Sequence, residues 1–255
     1  MIREYLRPKT LEEALRLLAE RAEARPLAGG MVLVATKEDV VAVDLQNLGL
    51  DAIRREGAEW VLGATATLQA VYEHEALPEA VRELAHREFP YPQRAQATVA
   101  GALVAGDGRS IWAAGLMALD VRLVLHRWGQ EPQTVPIGDW LPLRHEWHPG
   151  WLITEVRLSA APRLAWEVVA RSPADRPLLM VAVARWPRGR TRVVLGGWGD
   201  APHLALDGPT ADGADIAARN AAYEAQDHLA SAEYRREVAP VLVRRCLARL
   251  EDTNG

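Results

Sequence analysis

Arg94-Ala95-Gln96-Ala97-Thr98-Val99-Ala100-Gly101-Ala102 and, ahead of it, Leu27-Ala28-Gly29-Gly30 decide how this chain is read. Both stretches are short of bulk. A backbone of small residues lets N–H groups come close to an anion and point at it, and a helix starting behind them adds a favourable dipole. The first stretch follows a predicted strand over 24–28. The second precedes a predicted helix. Taken singly, each is also what an ordinary tight turn without a ligand looks like.

Working outward, Thr10-Leu11-Glu12-Glu13 is a capping box, and Leu11, Ala14, Leu15 and Leu18 follow at helical spacing, which predicts a helix over 11–22. Val40-Val-Ala-Val-Asp-Leu45 and Trp60-Val-Leu-Gly-Ala64 read as buried strands, with a helix opening near Thr67. A helix is predicted over 78–86 with proline in its first turn, and a compact apolar one over 111–119. Val121 to Arg127 and Leu152 to Leu158 alternate as strands do. Ala160-Ala161-Pro162 marks a domain boundary. Three strand-like segments follow, over 164–170, 178–184 and 191–195. A helix is then expected over 214–225, and a last one from Ser231 with a kink or break at Pro240.

The 255 residues are 49% hydrophobic and 25% charged, with a net charge of −4, so a packed core is expected. No basic stripe points to nucleic acid. No apolar run suggests membrane insertion, and the opening residues lack the apolar centre of a secretory signal, so a cytoplasmic setting is expected. The single cysteine, Cys246, holds neither an internal disulfide nor an iron–sulfur cluster or structural zinc by itself. His145-Glu146-Trp147-His148 is an incomplete metal set in a Pro- and Trp-rich stretch, and no metal site is assigned. His74, His126 and His203 stand alone. Asp107, between Gly106 and Gly108, reads as a turn residue. No Ser-His-Asp or Cys-His spacing marks a nucleophile, so no catalytic residue is assigned. Trp112, Trp140, Trp147 and Trp151 gather near the second stretch and the boundary, as core or as an interface.

The motifs also form an ordered series. Tyr5-Leu-Arg-Pro8 leads to Thr10-Leu-Glu-Glu-Ala-Leu15, Leu27-Ala-Gly-Gly30, Val43-Asp-Leu45, Leu62-Gly-Ala-Thr65 and Arg94 to Gly101. Leu116-Met-Ala-Leu-Asp120, Leu152-Ile-Thr-Glu-Val-Arg157, Val194-Leu-Gly-Gly197 and Ala230-Ser-Ala-Glu-Tyr-Arg-Arg236 follow. This series resembles the FAD-binding (medium) subunit of the molybdenum hydroxylases, of the carbon monoxide dehydrogenase and xanthine dehydrogenase type. The resemblance implies an α+β chain. A vanillyl-alcohol-oxidase-type FAD-binding domain would span 1–158, with α/β lobes of about 1–50 and 51–158. A small α+β domain like the C-terminal domain of the carbon monoxide dehydrogenase flavoprotein would span 162–255. It also implies an oxidoreductase role: electrons pass from [2Fe-2S] clusters of a small partner subunit, fed by a large molybdenum-cofactor subunit, to FAD here and on to an external acceptor.

The cofactor-binding residues so implied are Ala28, Gly29, Gly30, Met31, Val32 and Leu33 in the first loop, and Thr98, Val99, Ala100, Gly101 and Ala102 in the second. Against the family pattern, Met31 and Val32 stand where polar residues are usual. Ala100 replaces a glycine and Ala102 an asparagine. A flavin-holding aspartate falls on Ile111 and a lysine on Val168. Losing several polar contacts together weakens a cofactor's hold. Ile111-Trp112 is then expected to fill isoalloxazine space, which an open polar cleft beside Trp112 would contradict. The alternative reading is a flavin-free structural or assembly subunit that keeps the fold.

Overall fold

The structure is a computed structural model that describes residues 1–31, 33, 37–146 and 150–252. Three sheets divide it. The first unit runs β1 (Ile2–Leu6), α1 (Leu11–Glu20), β2 (Ala24–Leu27) and β3 (Val40–Asp44), and its parallel sheet has the order β1-β3-β2. β3 is buried along its whole length, as a central parallel strand must be. Thr10 caps α1 by accepting from the Glu13 amide at 3.1 Å, and Glu13 accepts in return from the Lys9 amide at 2.8 Å. The helix lays Ala14, Leu15 and Leu18 onto Val41 and Val43. Buried Asp44 is held by Arg7 at 3.3 Å and by the Tyr5 hydroxyl. β1 was not foreseen, because its exposed IREYL pattern carries no clean alternation.

The central unit contains β4 (Ile53–Glu56), β5 (Glu59–Gly63), α2 (Leu68–Glu73), α3 (Glu79–Glu88), α4 (Tyr91–Arg94), α5 (Val99–Ala105), α6 (Ile111–Ala118), β6 (Arg122–Arg127), β7 (Gln133–Pro136), α7 (Ile137–Trp140) and β8 (Trp151–Ser159). Its antiparallel sheet has the order β4-β5-β8-β6-β7. Leu62, Leu123, Leu125 and Val156 join Leu68, Leu84, Leu103, Trp112 and Leu116 in the largest core. Every residue of α6 is buried, so this helix runs through the interior rather than along a surface.

The C-terminal unit contains β9 (Arg163–Val169), β10 (Leu179–Arg185), β11 (Thr191–Gly196), β12 (His203–Gly208), α8 (Ala214–Ala221) and α9 (Ala232–Asp252). Its antiparallel sheet has the order β12-β11-β10-β9. β10 shows why the molecule closes up. Leu179, Val181 and Val183 face the α8–α9 layer, while Met180, Ala182 and Ala184 join the core containing α6. Of the kink or break expected at Pro240, the break does not occur, because α9 continues as helix through it. Ala239, Leu242, Val243 and Cys246 hold it against the sheet on both sides of the proline, and that packing outweighs the lost amide bond.

Candidate functional site

β2 delivers Ala28, Gly29, Gly30, Met31 and Leu33 to a half-buried loop, and Val32 lies outside the described residues. Gly30 has φ of +78°, the left-handed region that glycine tolerates best. Among the described residues, no acceptor takes the amides of Ala28, Gly29, Gly30 or Met31. Successive amides around a left-handed residue form a concavity suited to an anion. Met31 packs its side chain on the central core, so only its backbone is available.

The second stretch folds differently from a free loop. Helix α5 already begins at Val99, with Thr98 as its N-cap. The Thr98 side chain accepts from the Gly101 amide at 3.2 Å, and its carbonyl accepts from the Ala102 amide at 2.8 Å. The amides of Val99 and Ala100 donate to the carbonyls of Ala66 and Ala64, at 2.8 and 3.0 Å, while the Ala97 carbonyl accepts from Leu68. Four amides of the stretch are thus engaged within the chain. Gly101 is exposed, whereas Thr98, Val99, Ala100 and Ala102 are buried.

The two stretches meet. Gly29 lies so close to the Gln96 carbonyl that a β-carbon there would overlap it. The first loop therefore supplies N–H groups unengaged among the described residues, and it abuts the second stretch at Gln96 and Ala97, just ahead of the capped start of α5.

Beside α5, Trp112 is fully buried. Its indole Nε1 donates to the Val99 carbonyl at 3.2 Å, and its amide donates to Glu88 at 2.8 Å. Ile111 is buried beside it. Ile111 and Glu88 also line a cavity with Arg87, Arg94, Arg109 and Arg176, so a polar cleft opens beside Trp112 and counts against the expectation that Ile111-Trp112 fills isoalloxazine space. Burial pushes the Glu88 carboxyl up, against the pull of the Trp112 amide. Val168 is half-buried against the same core.

Asp107 does more than shape a turn. It accepts from the Arg109 amide at 2.8 Å and takes both arms of the Arg176 fork, one at 3.0 Å. Burial pushes its carboxyl up, but Arg176 and the amide and charge of Arg109 together outweigh burial and hold it below the ordinary value. Gly108 exchanges backbone bonds with Gly197 and Gly199, at 2.6 and 2.9 Å, and Arg109 pairs with Asp227 at 2.5 Å. The segment after α5 is thus fastened to the C-terminal unit. Apart from the Arg109 amide, these partners are remote in sequence, so no local spacing announced them.

Of the other residues singled out, Trp140 is core and Trp151 packs against it, whereas Trp147 and His148 lie outside the described residues. Among the described residues no His, Cys, Asp and Glu cluster forms a metal set. His74 stands edge-on to Trp60, and His203 stacks on Trp198 at 4.9 Å. Burial lowers His126 and His203 from the ordinary histidine range. No helix of the described residues is long and apolar enough to cross a membrane.

A parallel first unit, an antiparallel central unit with a capped helix next to a glycine loop, and a sheet-and-helix C-terminal unit define an α+β fold. Residues 1–160 match the family described as the FAD binding domain in molybdopterin dehydrogenase, and the chain belongs to that family. It is 29% identical to the uncharacterized protein YgfM of Escherichia coli K12, over 95% of this chain and 94% of that one. It is 27% identical to the carbon monoxide dehydrogenase medium chain of Afipia carboxidovorans, over 96% of each chain. Among solved structures, a chain of the Cu,Mo-CO dehydrogenase in its cyanide-inactivated form superposes with a TM-score of 0.82 at 27% identity. That match covers 98% of this chain and 97% of the other. The reconstituted CO dehydrogenase from Oligotropha carboxidovorans superposes at 0.81, with 27% identity and 96% of each chain covered.

Proposed function

We propose that this chain binds FAD and serves as the electron-transferring subunit of a molybdenum hydroxylase-like oxidoreductase. The observation that carries the reading is the meeting of the two loops, with the amides of Ala28, Gly29, Gly30 and Met31 unengaged among the described residues. Those groups fit a diphosphate through backbone alone, which makes apolar side chains at Met31 and Leu33 tolerable. Val32 belongs to the same candidate set. Thr98, Val99, Ala100, Gly101 and Ala102 would form the adjoining wall. Their contribution is shape, because four of their amides are already engaged. FAD, when bound, accepts and returns electrons singly or in pairs; the chain's own residues bind and orient it.

The domain division that goes with this reading is 1–158 and 162–255, supported by β8 ending at Ser159 and β9 starting in a new sheet at Arg163. The partners would be a large molybdenum-cofactor subunit and a small [2Fe-2S] subunit in the cytoplasm, supported by the likeness to a carbon monoxide dehydrogenase medium chain. Cys246 is buried, and burial pushes its thiol up to about 12, consistent with clusters held elsewhere.

The test is titration of the purified chain with FAD, read by flavin absorption and by quenching of tryptophan fluorescence. Saturable uptake with loss of affinity in Gly30→Val supports the proposal. A protein that stays colourless with excess FAD, yet copurifies with a molybdenum subunit and a Cys-rich subunit, is the flavin-free assembly subunit instead.

A further inference from the structure

A cavity of about 390 Å³ opens between the α3–α4 corner and the segment 173–177 that joins β9 to β10. Its wall includes Arg94, which is 6% exposed. The Arg94 Nε donates to the Gln69 side chain at 2.6 Å, and Nη1 donates to the carbonyls of His86 and Phe89 at 2.9 and 3.0 Å. Its guanidinium lies 5.2 Å from the Tyr72 ring centre and 6.0 Å from that of Tyr91. All of these partners are neutral. Among the described residues, Nη2 has no partner and no carboxylate pairs with this side chain. A buried cation without a counter-charge is costly, and a bound anion offsets that cost.

The rest of the wall narrows the chemistry. Arg87 donates to the Asp175 carbonyl at 3.2 Å, and among the described residues no carboxylate pairs with it, although Glu88 and Asp175 also line the cavity. Arg109 and Arg176 line the same cavity but already hold Asp227 and Asp107, so they add positive potential rather than free donors. The Tyr91 ring is 63% exposed at the mouth, and Phe89, Ile111 and Pro177 give the cavity apolar faces. A flat guanidinium matches a flat carboxylate, and the volume lies near the lower end of the ~300–1,000 Å³ usual for small-molecule sites.

We propose that this cavity is a binding site for a small aromatic carboxylate, which pairs with Arg94 and Arg87 and lays its ring against Tyr91. The proposal does not require FAD. Glu88 on its wall accepts from the amide of Trp112, whose indole bonds Val99, and Ile111 lines the cavity too, so competition with FAD belongs to the test.

The experiment is calorimetric titration of the full chain with benzoate, with neutral benzamide and with inorganic phosphate. Benzoate is expected to bind about tenfold more tightly than either, because only it offers both ring and charge. Arg87→Gln and Tyr91→Ala, both at accessible positions, are expected to weaken benzoate by about fivefold each, and Arg94→Gln to abolish binding. If Arg94→Gln does not fold, the other two variants decide. Absence of benzoate binding, equal affinity for benzamide, or unchanged affinity in both accessible variants overturns the proposal. So does displacement of benzoate by FAD, which assigns the cavity to the flavin site.

Discussion

Replacing Arg235 with methionine is expected to loosen the C-terminal unit more than any other single change outside the apolar cores. Arg235 is 0% exposed. Its Nε donates to the Leu178 carbonyl at 2.8 Å. Nη1 donates to the carbonyls of Ala225 and Ala230 at 2.5 and 3.1 Å, and Nη2 to Gly197 and to Asp227 at 3.1 and 3.0 Å. The guanidinium also lies 5.5 Å from the Trp198 ring centre. Methionine fills similar space but strands the carbonyls of Leu178, Ala225 and Gly197, while that of Ala230 keeps the Asp227 amide at 3.2 Å. Asp227 keeps Arg109 and the amides of Leu229 and Ala230, so its charge stays partly compensated. Breaking a buried pair typically costs ~3–5 kcal/mol, a large fraction of the ~5–15 kcal/mol that holds a domain.

Urea unfolding followed by tryptophan fluorescence reads this loss as a midpoint lower by roughly 1–2 M. The acid limb supplies a second readout. Burial pushes the Asp227 carboxyl up, but the two amides and Arg235 outweigh it and bring it down from 3.8 to about 2. A depressed carboxyl adds stability that is complete above its unfolded value and disappears as pH falls through its folded value. At 1.36 kcal/mol per pKa unit, Asp227 contributes about 2 kcal/mol above pH ~4, lost on the way to pH ~2. In the methionine variant that acid slope flattens. A loss under about 1 kcal/mol with an unchanged acid limb would refute the claim that Arg235 holds these carbonyls and Asp227 together.

Three further outcomes follow from the geometry. Gly29→Ala pushes the first loop off the Gln96 carbonyl, so FAD affinity in the fluorescence titration should fall by at least about tenfold, a cost of ~1.4 kcal/mol. Thr98→Ala removes the cap of α5 and should lower unfolding free energy by ~1 kcal/mol in urea. Cys246, buried and with its thiol pushed up to about 12, should ignore an aromatic disulfide reagent near pH 8 until the protein is unfolded; prompt labelling of the native chain contradicts its placement on the sheet-facing side of α9.

Local signals determined much of the frame. The Thr10–Glu13 capping box, the buried run of β3 and the small-residue helix α6 were legible because each depends on neighbours one to four residues away. The ordered series of motifs made the family legible too. What the sequence alone left undecided were the contacts made across the chain. Thr98 and Gly101 read as an open phosphate loop, yet the carbonyls of Ala64 and Ala66 engage the amides of Ala100 and Val99. Gly29 reads as room for an anion to approach the backbone, yet its lack of a side chain serves a close approach to the Gln96 carbonyl. Asp107 reads as a turn, yet it anchors Arg176. Pro240 reads as a kink or break, yet packing on both sides carries α9 through it without a break. Propensity and periodicity act over a few residues, so they specify elements. Which donors remain free for a ligand depends on where distant carbonyls and carboxylates arrive, and only the tertiary structure decided that.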